Sequence, residues 1–86
     1  MKLIDTVEMM NSNDYKERFR AEYLQLKIRI NGLSAMLDKY KAGTLDFKPF
    51  CSYELLDGQR RTMKSYADYL EARAYMEHIE LPDGEA

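Results

Sequence analysis

A chain with one cysteine can form no internal disulfide, and one with a single histidine has no pair of imidazoles to offer a metal. Here these residues are Cys51 and His78, alone of their kinds in 86 residues. The four glycines stand singly, so no glycine-rich loop exists to cradle a phosphate. Only Pro49 and Pro82 interrupt the chain as prolines, which leaves long stretches free to be helical. No apolar run is long enough to cross a bilayer, and Met1-Lys2-Leu3-Ile4-Asp5 breaks too early for a signal segment. With 13 basic and 15 acidic side chains the formal net charge is −2, without the basic excess that a duplex-binding face requires. These absences predict a soluble cytosolic protein with no cofactor, no metal, no membrane partner and no affinity for DNA or RNA duplexes.

Catalytic groupings are equally scarce. Cys51 and His78 would make a nucleophile and its base only if the fold joined them, and a buried, inert thiol is the expectation for Cys51. Asp14 and Glu17 fall on an open helical surface, where carboxylates cap and solvate rather than share a proton. The chain therefore reads as a binding protein and not an enzyme.

What the sequence does contain is helical periodicity. Phe19, Tyr23, Leu26, Ile30, Leu33, Leu37 and Tyr40 are spaced 4, 3, 4, 3, 4, 3, the pattern of a coiled-coil seam. A second stripe on the same stretch carries Leu24, Ile28 and Ala35. One hairpin buries one stripe, so the surplus face predicts an interface with further copies of the chain.

The fold expected is all-α, in three parts: a short N-terminal helix within residues 1–12, a long antiparallel helical hairpin over 13–79, and an acidic tail at 80–86. Asn13 is the expected cap of the first long helix, which should run from about Asp14 to Lys41, with Gly43 taking the left-handed turn that ends it. Asn31-Gly32 is a turn signal inside that helix, but the heptad phase passes through it without a slip. Leu45, Phe47, Pro49 and Phe50 give a loop apolar enough to pack over the end of the bundle. Ser52 should cap a last helix reaching about His78, with Leu56, Gln59, Met63, Tyr66, Leu70 and Arg73 on its inner stripe.

Two groupings suggest a ligand. Tyr15, Arg18, Lys27 and Arg29 on the long helix combine an aromatic ring with cations, which suits an anionic planar molecule held across a subunit boundary. The alternative has Tyr15 covering the open end of the hairpin and the cations pairing with Glu17 and Glu22, and spacing alone favours it. Gln59, Arg60, Arg61, Lys64 and Arg73, with Tyr66 and Tyr69, form a second basic face that would ring an axis in an oligomer or simply face solvent.

The order Tyr15-x-x-Arg18-x-x-x-Glu22-x-x-x-Leu26-x-x-Arg29-x-x-x-Leu33, a loop, then Leu55-Leu56-x-x-Gln59-x-x-x-Met63-x-x-Tyr66-x-x-x-Leu70-x-x-Arg73 resembles small helical-hairpin proteins of bacterial viruses. It is most similar to the second anti-CBASS protein family, the cyclic-oligonucleotide sponges, and shares its hairpin with the first anti-Thoeris protein, a sponge for cyclic ADP-ribose signals. The resemblance implies a homohexamer in the host cytoplasm that sequesters host cyclic dinucleotides without degrading them. It places Tyr15 as the stacking ring, with Lys27 or Arg29 on phosphate. It also implies a separate site for cyclic trinucleotides, lined by Arg60 or Arg61. The connection carrying Phe47 and Phe50 is longer than that of the sponges and leaves the ligand open. The competing class is a structural or adaptor hairpin that binds a host or phage protein.

Overall fold

The computed structural model describes residues 1–82, all of whose secondary structure is helical. A 3-10 turn, Leu3–Thr6, runs into the short helix α1, Val7–Met10; two long helices follow, α2 at Tyr15–Ala42 and α3 at Tyr53–Met76. In the tail expected at 80–86, residues 83–86 lie outside the described part. At ~1.5 Å per residue the 28 residues of α2 span ~42 Å. That matches the 43 Å long axis of the molecule, so α2 sets its length.

Helix α2 starts one residue later than the sequence suggests. Asp14, not Asn13, is the cap, its carboxylate accepting from the Lys16 amide at 3.0 Å. A carboxylate on the first free amides satisfies an orphan donor and opposes the positive end of the dipole. The helix ends as expected, with Gly43 at φ 74°. The Gly43 amide donates to the Tyr40 carbonyl at 3.2 Å and the Thr44 amide to the Lys39 carbonyl at 3.0 Å, the paired bonds of a Schellman stop. Ser52 caps α3 as its position suggests, accepting from the Leu55 amide at 3.1 Å.

The far end of α3 repeats the Schellman stop with the wrong residue type. Helix α3 ends at Met76, and His78 takes φ 57°, a left-handed conformation that usually falls to glycine. The turn is held by its product, because the Ile79 amide donates to the Ala74 carbonyl at 2.8 Å and the Ile79 side chain is buried in the core. An apolar residue just past the cap that folds back onto the helix is the usual companion of this motif.

Phe19, Tyr23, Leu26 and Ile30 of α2 pack against Ala67, Leu70 and Ala74 of α3, with Ile79 closing the end and Met63 and Leu81 at the edges. The inner stripe of α3 thus differs from the one expected. Gln59, Tyr66 and Arg73 stand on the flank, exposed, while Ala67 and Ala74 face inward. Two alanines either side of Leu70 let the helix axes approach, and the longer side chains are displaced to the rim, where their polar ends find partners. Tyr66 donates to the Glu22 carboxylate and Arg73 to Glu77 and Tyr15.

The second stripe of α2 is partly covered within the same chain. Thr6, fully buried, donates from Oγ1 to the Leu3 carbonyl at 2.7 Å and accepts from Gln25 Nε2 at 2.9 Å, which pins the N-terminal segment across α2. Ala21 and Leu24 are buried as a result, and Leu24 shares a cleft with Met9, Arg20 and Leu81. The interface expected at Leu24 is therefore an intrachain contact. Farther along, Ile28 is half-buried and Ala35 exposed.

The connecting loop also departs from expectation. Phe47 and Phe50 project into solvent, and only Leu45 and Pro49 are half-buried. Cys51 is exposed rather than buried.

A glycine inside α2 and the left-handed histidine after α3 each yield a stability test. Beyond its chain neighbours and the backbone of its own helix, no atom lies within 4 Å of where a Cβ on Gly32 would stand, and α2 runs through it unbroken. Gly32→Ala should therefore stabilise the fold by up to about 1 kcal/mol. His78→Gly should do so by about 1 kcal/mol by releasing the left-handed backbone. Either change should raise the thermal midpoint by roughly 4 to 8 °C for a domain of this size. A lower midpoint for Gly32→Ala would mean that α2 bends there in solution.

Candidate functional site

The antiparallel hairpin sets the first turn of α2 beside the last turn of α3, and four side chains meet there. Tyr15 is 45% exposed. Its hydroxyl donates to Glu77 Oε1 at 2.7 Å and accepts from Arg73 Nη2 at 2.9 Å. Arg73 also donates from Nε to Glu77 Oε2 at 3.2 Å, and its guanidinium carbon stands 5.0 Å from the centroid of the Phe19 ring. Phe19 meets Tyr15 edge to face, with centroids 6.2 Å apart. The ring of Tyr15 is thus fixed at both its edge and its hydroxyl while much of its surface stays open.

This cluster shapes its own titration. The hydrogen bond from Tyr15 chiefly, helped by the hydrogen bond and charge of Arg73, holds the Glu77 carboxyl below the ordinary glutamate value, while burial pulls the other way. The same bond to Glu77 raises the Tyr15 phenol. Arg73 is raised too, chiefly by its hydrogen bond to Glu77.

The other candidates lie elsewhere. Arg18 donates to the Ser12 carbonyl at 2.8 Å, so it closes the turn before α2 rather than pairing with a carboxylate. Glu17 pairs with Arg20 at 2.7 Å, and Glu22 accepts from Tyr66. The pairing of Arg18, Lys27 and Arg29 with Glu17 and Glu22 does not form. Arg29 falls on the flank of Tyr15 and Arg18, at heptad spacing through Glu22, but 14 residues on from Tyr15, or roughly 21 Å along the helix. Among the described residues it makes no ion pair. Lys27 is about a third of a turn away around α2, on the opposite flank. Its ammonium is 6.0 Å from the Tyr23 ring centroid, and it lines a polar groove of about 350 Å³ with Asn31, Ser34, Lys64, Asp68 and Glu71. One chain does not bring Tyr15, Lys27 and Arg29 to one compact site.

Arg60 and Arg61 stand toward the loop end of the hairpin, both on Asp57. Arg60 is bonded to Asp57 Oδ1 with its side chain largely covered, whereas Arg61 reaches Oδ2 at 3.3 Å and projects into solvent. The Asp57 hydrogen bond raises the Arg60 guanidinium further. Cys51 and His78 flank opposite ends of α3, whose 24 residues hold them about 36 Å apart at ~1.5 Å per residue. Among the described residues no three metal-ligating side chains gather. Among the described residues no helix is long and apolar enough to cross a membrane.

Sequence reasoning left Arg73 and Glu77 out of the Tyr15 grouping. Their signal was present: they are four residues apart on one helical face, and an antiparallel hairpin sets the end of its second helix against the start of its first.

The cluster has a direct spectroscopic consequence. Carbon-detected NMR titration should place the Glu77 midpoint below the ordinary glutamate value. Tyr15→Phe should move it back toward the ordinary range. Because the carboxylate form is the bonded one, its contribution to stability is present above the unfolded pKa and fades as pH falls through the lowered folded value. An unshifted Glu77 would show that the hydroxyl bond does not persist in solution.

Comparison with known proteins places this hairpin. A family model described as Sequestin matches residues 13–76, which take in all of α2 and α3. The chain is also 42% identical over 59 residues, 69% of its own length and 88% of the relative's, to a protein of Enterobacteria phage T4 described as an uncharacterized 7.5 kDa protein in the denB-rIIB intergenic region. No solved structure matches it. The match over both long helices, together with this phage relative, shows that the chain belongs to the Sequestin family.

Proposed function

We propose that this protein is a phage immune-evasion factor that binds and sequesters host cyclic oligonucleotide second messengers without degrading them. It acts in the host cytoplasm, as a homo-oligomer that we take to be a hexamer, and so blocks CBASS-type defence. The observation that carries this reading is Tyr15, half exposed yet held rigid by Glu77, Arg73 and Phe19. A ring ordered before the ligand arrives loses little freedom on stacking a base, and cations beside it answer the phosphates. Membership of a family named for sequestration and similarity to a phage protein support the same reading.

Assembly follows from where the candidates lie. A second copy would have to bring Arg29 or Lys27 to a Tyr15 end, since neither is within reach in one chain. Arg60 and Arg61, at the loop end, remain the candidates for a separate site that takes cyclic trinucleotides. The sponge for cyclic ADP-ribose signals is the neighbouring variant of this function. An adaptor hairpin is the second reading, and it draws on one specific feature, the exposed Phe47 and Phe50 of the loop.

Two experiments test the proposal. Purified protein incubated with a panel of cyclic nucleotides, then heated, should return the bound compound intact; linear product formed at catalytic protein concentrations would make it an enzyme. Stacking on an aromatic ring is worth about 1 to 3 kcal/mol per base, so Tyr15→Ala should weaken cyclic dinucleotide binding by roughly 5- to 150-fold. Tyr15→Ala binding as tightly as the parent would make the ring structural.

Light scattering should report several times the 10.2 kDa chain mass. Ile28→Glu should lower that mass, because an unpaired charge in a contact is costly. A monomer at micromolar concentration would remove the shared site.

A further inference from the structure

The cation nearest the Tyr15 ring is neither Lys27 nor Arg29. We infer that Arg73 is the anion-binding side chain of the Tyr15 site, presenting a guanidinium edge to the phosphodiester of a nucleotide whose base lies on that ring. The inference rests on the sponge reading for the identity of the ligand, and on the geometry alone for the presence of an anion site.

A guanidinium carries five N–H donors. The hydrogen at Nε goes to Glu77 and one at Nη2 to Tyr15, which leaves both hydrogens of Nη1 and one of Nη2 without a partner among the described residues. The side chain is 52% exposed, which leaves the guanidinium accessible to solvent. Its orientation is not free: the Phe19 face beneath it, at 5.0 Å, and the two hydrogen bonds fix the plane of the fork. A fixed planar fork suits two phosphate oxygens at once, which a lysine ammonium does not.

The competing cations are worse placed. Arg18 is turned toward the Ser12 carbonyl in the turn before α2, Arg60 is held on Asp57 toward the loop end, and Arg29 and Lys27 are roughly 21 and 18 Å along α2 from Tyr15. A base on Tyr15 is separated from its phosphate by one sugar, and Arg73, bonded directly to the Tyr15 hydroxyl at 2.9 Å, lies within that reach. Glu77 and Tyr15 together take the Nε–Nη2 edge of the guanidinium and leave the Nη1 end unpaired among the described residues.

Pyrophosphate tests the anion site without any nucleotide. Followed by the arginine side-chain N–H resonances of the full chain, a pyrophosphate titration should shift Arg73 to saturation and leave Arg29 little changed. An unmoved Arg73 would overturn the inference whatever the protein does with nucleotides. With cyclic di-AMP in calorimetry, Arg73→Gln should weaken binding roughly 10- to 100-fold and flatten its salt dependence, since one phosphate contact is lost. Arg73→Lys, which keeps the charge but not the fork, should fall between Arg73→Gln and the parent. Parental affinity in Arg73→Gln combined with a loss in Arg29→Gln would overturn the inference and leave the sponge intact. Saturable pyrophosphate binding at Arg73, with no cyclic nucleotide bound by the parent, would support the anion site and sink the sponge reading. Circular dichroism of each variant separates these outcomes from unfolding.

Discussion

The close approach of α2 and α3 along Ala67, Leu70 and Ala74 is the contact on which the rest of the structure depends. A large residue at either alanine would hold the axes apart, and Phe19, Tyr23, Leu26 and Ile30 would lose the partner against which they are buried. Fully burying a side chain such as Leu70 contributes about 1.5 to 3 kcal/mol, whereas an exposed ion pair such as Arg73 with Glu77 is screened by solvent and contributes far less. The apolar contact therefore sets the register, and the polar side chains on its rim take whatever partners that register brings. Tyr15 meets Glu77 and Arg73 because the core has already put them opposite each other.

Both long helices are closed in the same way, and the two ends carry unequal strain. Gly43 enters the left-handed region at no steric cost, but His78 does so with a Cβ. What compensates at His78 is the burial of Ile79 directly after it. The turn also fixes Glu77 immediately before it, so the strained backbone lies next to the carboxylate that holds Tyr15. Strain beside a site is common where the surrounding structure over-determines it.

The helices, their order, the stop at Gly43 and the start at Ser52 were legible in the sequence because periodicity and capping chemistry act locally. The choice between Asn13 and Asp14 as cap was not, since the two residue types compete on nearly equal terms and one residue of register decides it. The inner face of α3 was misread for a different reason. A heptad count weights large residues, and it took Tyr66 and Arg73 for core where Ala67 and Ala74 allow the tighter packing. The covering of Leu24 by the N-terminal segment depended on a buried Thr6 hydroxyl bonded to Gln25, a polar contact between residues 19 apart that no spacing rule anticipates. Likewise Tyr15 was singled out from the sequence, but Arg73 and Glu77 join it only through tertiary register.

The placement of the cations constrains how any such protein could hold a compact anionic ligand. Arg73 serves Tyr15 within one chain, Lys27 belongs to the opposite flank with Lys64, and Arg60 and Arg61 stand at the other end of the hairpin on Asp57. These groups are separated by rigid helix, so a ligand small enough to stack on Tyr15 meets only one of them unless another copy supplies a second. On the proposed reading, enclosure would be a property of an assembly and not of the fold. A ligand closed between two copies loses its exits when they meet, and its release becomes tied to their separation. That coupling would give slow dissociation without a large interior cavity, which a hairpin with so narrow a core cannot build.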